Sequence, residues 1–236
     1  MLLNCDIGER GPHHSVDREL MNLLDVANLA CSGHAGDAES IAAFRALAGG
    51  KQLSAHLSYP DRENFGRTAM KLPLPELLSS LQAQSALLPD CHWLKFHGAL
   101  YNVSTGDANL ARVLADWSAS SEYEFVITLP GGALAEAAIE FGLEVVAEAF
   151  AERRYEVRDG RLLLMSRANP RASITDLAEA IEQSQRLIED GRVLASVNGQ
   201  DELVDCPAET ICVHSDSAIA LPLARQISAM LDKAGR

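Results

Sequence analysis

Four of the seven histidines, His34, His56, His97 and His214, each stand at the end of a short apolar run, in a patch rich in Gly, Asp, Asn or Tyr. The patches read Ala30-Cys-Ser-Gly-His-Ala-Gly-Asp37, Ser54-Ala-His-Leu-Ser-Tyr-Pro-Asp61, Lys95-Phe-His-Gly-Ala-Leu-Tyr-Asn102 and Cys212-Val-His-Ser-Asp216, and Asn4-Cys-Asp-Ile-Gly-Glu9 is a fifth of the same kind. Imidazoles exchange protons near neutrality, and carboxylates in the same crevice act as base or metal ligand according to how their surroundings separate their pKa values. Asp6 and Glu9 flank a glycine in one turn, which gives such a pair; the alternative is that Asn4 or Asp6 satisfies loop amides. His34, between glycines, is poorly suited to core packing. Asp37 has two explanations, a catalytic carboxylate and a helix cap.

His56 and His97 end adjacent strands. With Asp6 they would hold a divalent ion that keeps open positions for acidifying water or polarising a carbonyl. General acid and base work on an organic substrate explains the same residues without a metal. His214 and Asp216 close the set, although Asp216 is also placed to cap the last helix. Glu148 ends another strand and leads into Ala149-Phe-Ala-Glu-Arg-Arg-Tyr155, where Arg153 and Arg154 could grip a carboxylate or phosphate by a bidentate fork or simply belong to a solvated charged loop. Lys95 lies two residues before His97 and so on the same strand face, whereas Arg67 is a loop cation after Phe65-Gly66. Asn4, Tyr59, Tyr101, Asn102 and Asp216 complete the candidates for substrate contact.

These residues need a scaffold that brings separate strand ends together. Apolar runs at Leu2 to Cys5, Asp25 to Cys31, Gln52 to His56, Trp93 to His97, Glu124 to Leu129, Leu143 to Glu148, Leu194 to Val197 and Ile211 to His214 alternate with helix-period segments, the signature of βαβ units around a parallel sheet. Helices are expected from Ala38 to Leu47 behind Asp37, from Pro75 to Leu87, from Gly132 to Phe141, from a capping box at Ser173-Ile-Thr-Asp176 to Glu189, and from about Leu221 onward. Tyr155 to Ser166 breaks the alternation as a hairpin turning at Asp159-Gly160. The pattern points to an α/β fold, a distorted TIM-like (β/α) barrel of seven or eight strands with a small hairpin excursion near 155–166, and to a single domain over 1–236. A doubly wound sheet is the alternative, but no G-x-G-x-x-G or Walker motif supports one.

Composition narrows the partners. With 236 residues, 47% of them hydrophobic, the chain can bury one substantial core, and a net charge of -13 argues against nucleic acid or an anionic membrane surface. Five cysteines without a C-x-x-C spacing fit a reducing cytoplasm better than a disulfide framework, and Cys5, Cys31 and Cys212 read as small buried hydrophobes. Neither a signal peptide nor a membrane-spanning run is seen, so a cytoplasmic location is expected. A homo-oligomer is compatible with all of this.

The ordered patches resemble the LamB/YcsF family over nearly the whole chain. The match runs from Asn4-Cys-Asp-Ile-Gly-Glu9 through Asn28-Leu-Ala-Cys31, His34-Ala-Gly-Asp37, Ser58-Tyr-Pro-Asp61, Phe65-Gly-Arg67 and His97-Gly-Ala-Leu-Tyr-Asn102 to Glu148-Ala-Phe-Ala-Glu-Arg-Arg-Tyr155 and Cys212-Val-His214. The resemblance implies a TIM-like barrel related to metal-dependent deacetylases and glycoside hydrolases. It also implies opening of the lactam 5-oxo-L-proline to L-glutamate, coupled to hydrolysis of ATP with Mg2+ in a 5-oxoprolinase complex that includes partner subunits B and C. The related deacetylases use one Asp and two His as metal ligands, and the matching positions here are Asp6, His56 and His97. Several positions depart from the family pattern: Ser32, Ser54 and Ser215 replace glycine, Leu57 and Phe96 replace proline, Glu152 replaces aspartate and Thr68 replaces a second arginine. Two other readings stay open, a metal-dependent deacetylase or amidohydrolase acting on another small amide, and a non-catalytic subunit that binds a small carboxylate.

Overall fold

The computed structural model describes residues 1–235. In chain order its elements are β1 (Leu2–Ile7), α1 (Ser15–Leu20), β2 (Val26–Ala30), α2 (Ala38–Ala46), β3 (Gln52–Leu57), α3 (Leu74–Ser85), β4 (Trp93–Phe96), α4 (Gly98–Gly106), α5 (Ala108–Ser120) and β5 (Phe125–Thr128). The second half continues with α6 (Ala133–Glu140), β6 (Glu144–Phe150), β7 (Tyr155–Arg158), β8 (Arg161–Leu164), α7 (Leu177–Asp190), β9 (Arg192–Val197), β10 (Gln200–Asp205), β11 (Thr210–His214) and α8 (Ala220–Ala234).

Seven parallel strands close into a barrel in the order β1-β11-β6-β5-β4-β3-β2. The run at 194–197, expected as a barrel strand, belongs instead to a second, four-stranded sheet of order β10-β9-β7-β8, so β6 pairs directly with β11. The physical reason lies in the pattern and the turn. Barrel strands are buried on both faces, as β2 is throughout, whereas β9 buries only alternate residues. Asn198-Gly199, both at positive φ, then folds β10 back on β9 as a tight hairpin. The hairpin expected near 155–166 is present as β7 and β8. Gln183 of α7 ties this second sheet to the barrel by donating to the carbonyls of Phe150, Ala151 and Arg153 at 2.8, 3.1 and 2.9 Å.

Period-two alternation sorts the barrel strands into layers. On β1, Leu3, Cys5 and Ile7 join the main apolar core that includes helix residues such as Ile41, Phe44, Leu114 and Leu223. The opposite parity points into the barrel. At one end the inward residues Val26, Ile127 and Val146, with Leu2, Trp93 and Phe125 packed against them, make an apolar floor. Above it the same faces carry Asn4, Asn28, Lys95, Glu148 and Thr210, all buried and polar. The next inward positions toward the carboxyl ends include Asp6, His56, His97 and His214.

Helix ends follow local chemistry. Asp37 caps α2 by accepting from the Ser40 amide at 2.8 Å. The capping box at 173–176 is displaced by one turn: Asp176 itself is the N-cap of α7 and accepts from the Glu179 amide at 2.9 Å, and Gly191 closes that helix in the left-handed conformation.

Candidate active site

Strand ends at the carboxyl face of a closed barrel project into one crevice. Asp6 anchors it from β1. Its Oδ1 accepts from Lys95 Nζ and Asn28 Nδ2, both at 3.0 Å, and its Oδ2 lies 3.2 Å from His56 Nε2. Burial alone would raise this carboxyl, but the neighbouring His56 and Lys95 outweigh it and hold Asp6 well below the usual carboxylate range. Lys95 is itself buried beside Glu148 Oε1 at 2.7 Å and donates to Asn4 Oδ1 at 3.3 Å and Cys212 Sγ at 3.2 Å. Burial disfavours its charge, yet Asp6, Cys212 and Glu148 keep the ammonium well above its ordinary pKa.

The tautomers of the two central histidines follow from their outer partners. His56 Nδ1 faces the Lys95 carbonyl at 3.2 Å and His97 Nε2 faces the Phe65 carbonyl at 3.0 Å, so each of these nitrogens must carry the hydrogen. The inner nitrogens, His56 Nε2 and His97 Nδ1, stand 2.9 Å apart. In the neutral rings both then present lone pairs, beside two carboxylates, an arrangement that a cation or a shared proton relieves. Glu9 Oε1 lies 2.9 Å from His34 Nε2 and 3.5 Å from His97 Nδ1, and the His34 and His97 rings stack with centroids 3.7 Å apart. Burial, then the Asp6 charge, pushes Glu9 up to about 7. Burial pushes His34 down to about 3, and it keeps His97 well below its usual value, with His34 and His56 acting in the same direction.

The loop after Asp61 fastens this cluster. Gly66 sits at φ +63°, and a Cβ there would lie 2.8 Å from His34 Cβ and 3.1 Å from His97 Cδ2. Its carbonyl accepts from the Ala99 amide at 2.9 Å, at the start of α4. Only glycine allows both the left-handed backbone and that approach.

Asp6, His56, Lys95, His97, Tyr101, Asn102, Phe150, Arg153 and His214 line a chamber of about 30 Å³. Glu9 and His34 stand behind the His97 ring rather than on the chamber wall. His214 stacks on Phe150 at 5.7 Å between centroids, and its amide donates to Glu152 Oε2 at 2.8 Å. Tyr101 is kept protonated by burial and then by the nearby Glu148. Asn4 supports from below, donating to Thr210 Oγ1 at 2.9 Å.

Donor atoms of Glu9, His34, His56 and His97 all lie within 4.8 Å of one another, and a second group of this kind joins Asp6, Cys212 and His214. Of the expected trio, His56 and His97 fall in the first group and Asp6 in the second, and the contact between the groups is Asp6 Oδ2 at 3.2 Å from His56 Nε2. Imidazole nitrogens and carboxylate oxygens are the donors that borderline divalent ions take, and nitrogens about 2.1 Å from one ion stand about 3.0 Å apart in octahedral and about 3.4 Å apart in tetrahedral coordination. The residues fit a metal.

Other sequence candidates fall elsewhere. Asp37 is exposed and occupied as the cap of α2. Tyr59 lines a groove with Met70, Leu72 and Leu77, away from the histidines. Arg154 pairs with Glu179 of α7 and lines none of the cavities around the site. Arg153 reaches the chamber, but its guanidinium donates to the carbonyls of Met165 at 2.7 Å and Ala172 at 3.3 Å. Arg67 pairs with Asp216 at 2.6 Å, which outweighs burial and keeps Asp216 below its ordinary pKa. Asn28, which orients Asp6, was detectable from strand parity. Arg167, which also lines the chamber, carries no local signal, because the β7–β8 hairpin brings it there from a distant part of the chain.

A model of the LamB/YcsF family matches residues 1–236. The A component of 5-oxoprolinase from Haemophilus influenzae strain PittEE is 38% identical over 246 aligned residues, covering 98% of this chain and 95% of the relative. The corresponding proteins of strains 86-028NP and PittGG match at the same identity and coverage. Among solved structures, a lactam utilization protein from Thermus thermophilus superposes with a TM-score of 0.83 at 34% identity, covering 100% of this chain and 97% of that one.

Proposed function

The chain belongs to the LamB/YcsF family, and from that premise we propose that it is the A component of an ATP-dependent 5-oxoprolinase, opening 5-oxo-L-proline to L-glutamate with partner subunits B and C. The observation that carries this reading is the convergence of Glu9, His34, His56 and His97, with Asp6 against His56, at the carboxyl mouth of the barrel. It is supported by relatives named for 5-oxoprolinase and a structural neighbour named for lactam utilization.

A five-membered lactam is an unactivated amide, so hydrolysis needs a better electrophile, a deprotonated water and a protonated leaving nitrogen. ATP with Mg2+, supplied in the complex, would activate the carbonyl by phosphorylating its oxygen. Asp6, His56 and His97, with Glu9 at their edge, are the residues that would hold a divalent ion, which when bound polarises a carbonyl or acidifies water. Lys95 and Asn28 fix the orientation of Asp6. Glu9 Oε1, 3.5 Å from His97 Nδ1, would take the proton that the attacking water releases, and His214, which lines the same chamber, would give one to the ring nitrogen as the C–N bond breaks. Tyr101 and Asn102 give hydroxyl and amide donors toward the ring.

The test is reconstitution with subunits B and C. Substituting His97→Ala should leave the far-ultraviolet circular dichroism and cooperative unfolding in place while abolishing ATP-dependent lactam opening. Normal turnover in that variant would refute the assignment. The donor set also suits a metal-dependent amidohydrolase acting alone, and chelator-sensitive hydrolysis by the isolated chain without ATP would favour that second reading.

A further inference from the structure

The chain carries only 20 basic residues against 33 acidic ones, yet Arg67, Arg153 and Arg167 gather at one opening. Two of the three are committed, Arg67 to Asp216 at 2.6 Å and Arg153 to the Met165 and Ala172 carbonyls. Arg153 is pushed down to about 10, first by burial and then by the charge of Arg167, so the cluster is under mutual repulsion. Arg167 makes no hydrogen bond and no ion pair among the described residues, and the more distant charges of Asp216, Asp6 and Glu152 offset the repulsion from Arg67.

The position of Arg167 is as informative as its lack of partners. The polar chamber of about 30 Å³ holds only about two waters, too little for a lactam ring. It is flanked by cavities of about 370 and 270 Å³, and Arg167 is the one described residue that lines all three. A ligand therefore enters by displacing a wall. Asp6, His56 and Lys95 are pinned by mutual bonds, whereas moving Arg167 breaks none. Lys95 cannot take the ligand's charge, because its ammonium is already shared among Asp6, Asn4, Glu148 and Cys212.

We propose that Arg167 is the specificity-determining cation of the site, swinging aside to admit the ring and then gripping the substrate carboxylate through its guanidinium fork. The inference rests on the lactam-opening reading and adds the group that distinguishes 5-oxo-L-proline from an uncharged lactam.

The experiment compares 5-oxo-L-proline with 2-pyrrolidinone, the same ring without its carboxylate, in wild-type, Arg167→Ala and Arg167→Lys complexes containing subunits B and C and ATP. Discrimination is read from kcat/KM or, for 2-pyrrolidinone, from its inhibition constant; calorimetry on the isolated chain gives a second reading. A charge-assisted hydrogen-bond pair corresponds to about a tenfold to hundredfold effect. Arg167→Ala should lose that factor for 5-oxo-L-proline, chiefly in KM, and leave 2-pyrrolidinone unchanged, with Arg167→Lys between the two. Equal losses for both ligands, or wild-type discrimination in Arg167→Ala, would overturn the role of Arg167 while leaving lactam opening standing. A wild-type complex that turns over neither lactam, although its chain binds 5-oxo-L-proline in an Arg167-dependent way, would overturn lactam opening and leave Arg167 in place. Binding of neither ligand would overturn both.

Discussion

Replacing Glu9 by glutamine in the isolated, chelator-treated chain tests the electrostatics of the site, since no cation then competes with protons for the same carboxyl. Glu9 is lifted from 4.5 to about 7, chiefly by burial, which at about 1.4 kcal/mol per pH unit amounts to about 3 kcal/mol. The sign follows from linkage. Between pH 4.5 and 7 the folded protein holds a proton that the unfolded chain has released, so wild-type stability falls as pH rises through that window, and the full cost is present above 7. Glutamine cannot ionise, and its carbonyl can still accept from His34. His34, held down to about 3, must stay neutral and pulls stability the other way as pH falls, but it is present in both proteins and drops out of their difference. Glu9→Gln should thus match wild type near pH 4.5 and exceed it by about 3 kcal/mol at pH 8, or about 6–12 °C in melting temperature for a chain of this size. Thermal unfolding followed by circular dichroism from pH 5 to 8 is the assay. Parallel melting curves, with a constant offset across that range, would refute the claim that Glu9 is buried against its own charge.

Three further outcomes follow from the backbone and its caps. Gly66→Ala, which forces a Cβ to 2.8 Å from His34 at a left-handed φ, should cost about 2–4 kcal/mol and depress activity by shifting the His34–His97 stack; unchanged melting in denaturant would count against that packing. Ser32 stands at φ +71°, so Ser32→Gly should raise stability by about 0.5–1 kcal/mol, and a loss on the same measurement would contradict the strain. Asp37→Ala should cost about 1 kcal/mol through the lost cap of α2 and leave lactam opening intact, so an inactive but stable variant would restore a catalytic role to Asp37.

The parallel barrel was legible because its strands are near-continuous apolar runs ended by Gly, Asp and Asn, and because period-two parity put Lys95 and His97 on one face. The pairing of Asp6 with Asn28, in register across β1 and β2, was not read, because parity fixes a strand's face and not its register with a neighbour. What escaped reading depends on where the chain goes after β6. The Asn198-Gly199 turn that folds β10 back on β9 is a local signal that the sequence reading passed over, but the pairing of β9 with β7 instead of β6 and β11 is set by distant parts of the chain. The placement of Arg153, Arg154 and Arg167 depends on that second sheet, which is why three similar arginines end up bound to carbonyls, bound to Glu179 and, among the described residues, without an ion pair at the mouth.

The middle layer of the barrel has no explanation in stability alone. Leu2, Val26, Ile127 and Val146 show that this interior can be filled with apolar side chains one layer down, and replacing buried ion pairs by such residues is often neutral or stabilising. The chain nonetheless buries Asn4, Asn28, Lys95, Glu148 and Thr210 there and links them: Asn28 donates to Asn4 and Asp6, Asn4 to Thr210, Lys95 to both Asn4 and Asp6, and Glu148 is ion-paired with Lys95. Two of the bonds that leave the layer, from Asn28 and Lys95, meet at Asp6 Oδ1, while Lys95 also reaches Cys212 Sγ and Thr210 the Leu2 carbonyl. An apolar layer would take away the Lys95 ammonium and the Asn28 amide and leave Asp6 free to rotate away from His56, so the arrangement is intelligible as the support that fixes one carboxylate, ionised, against the histidine pair.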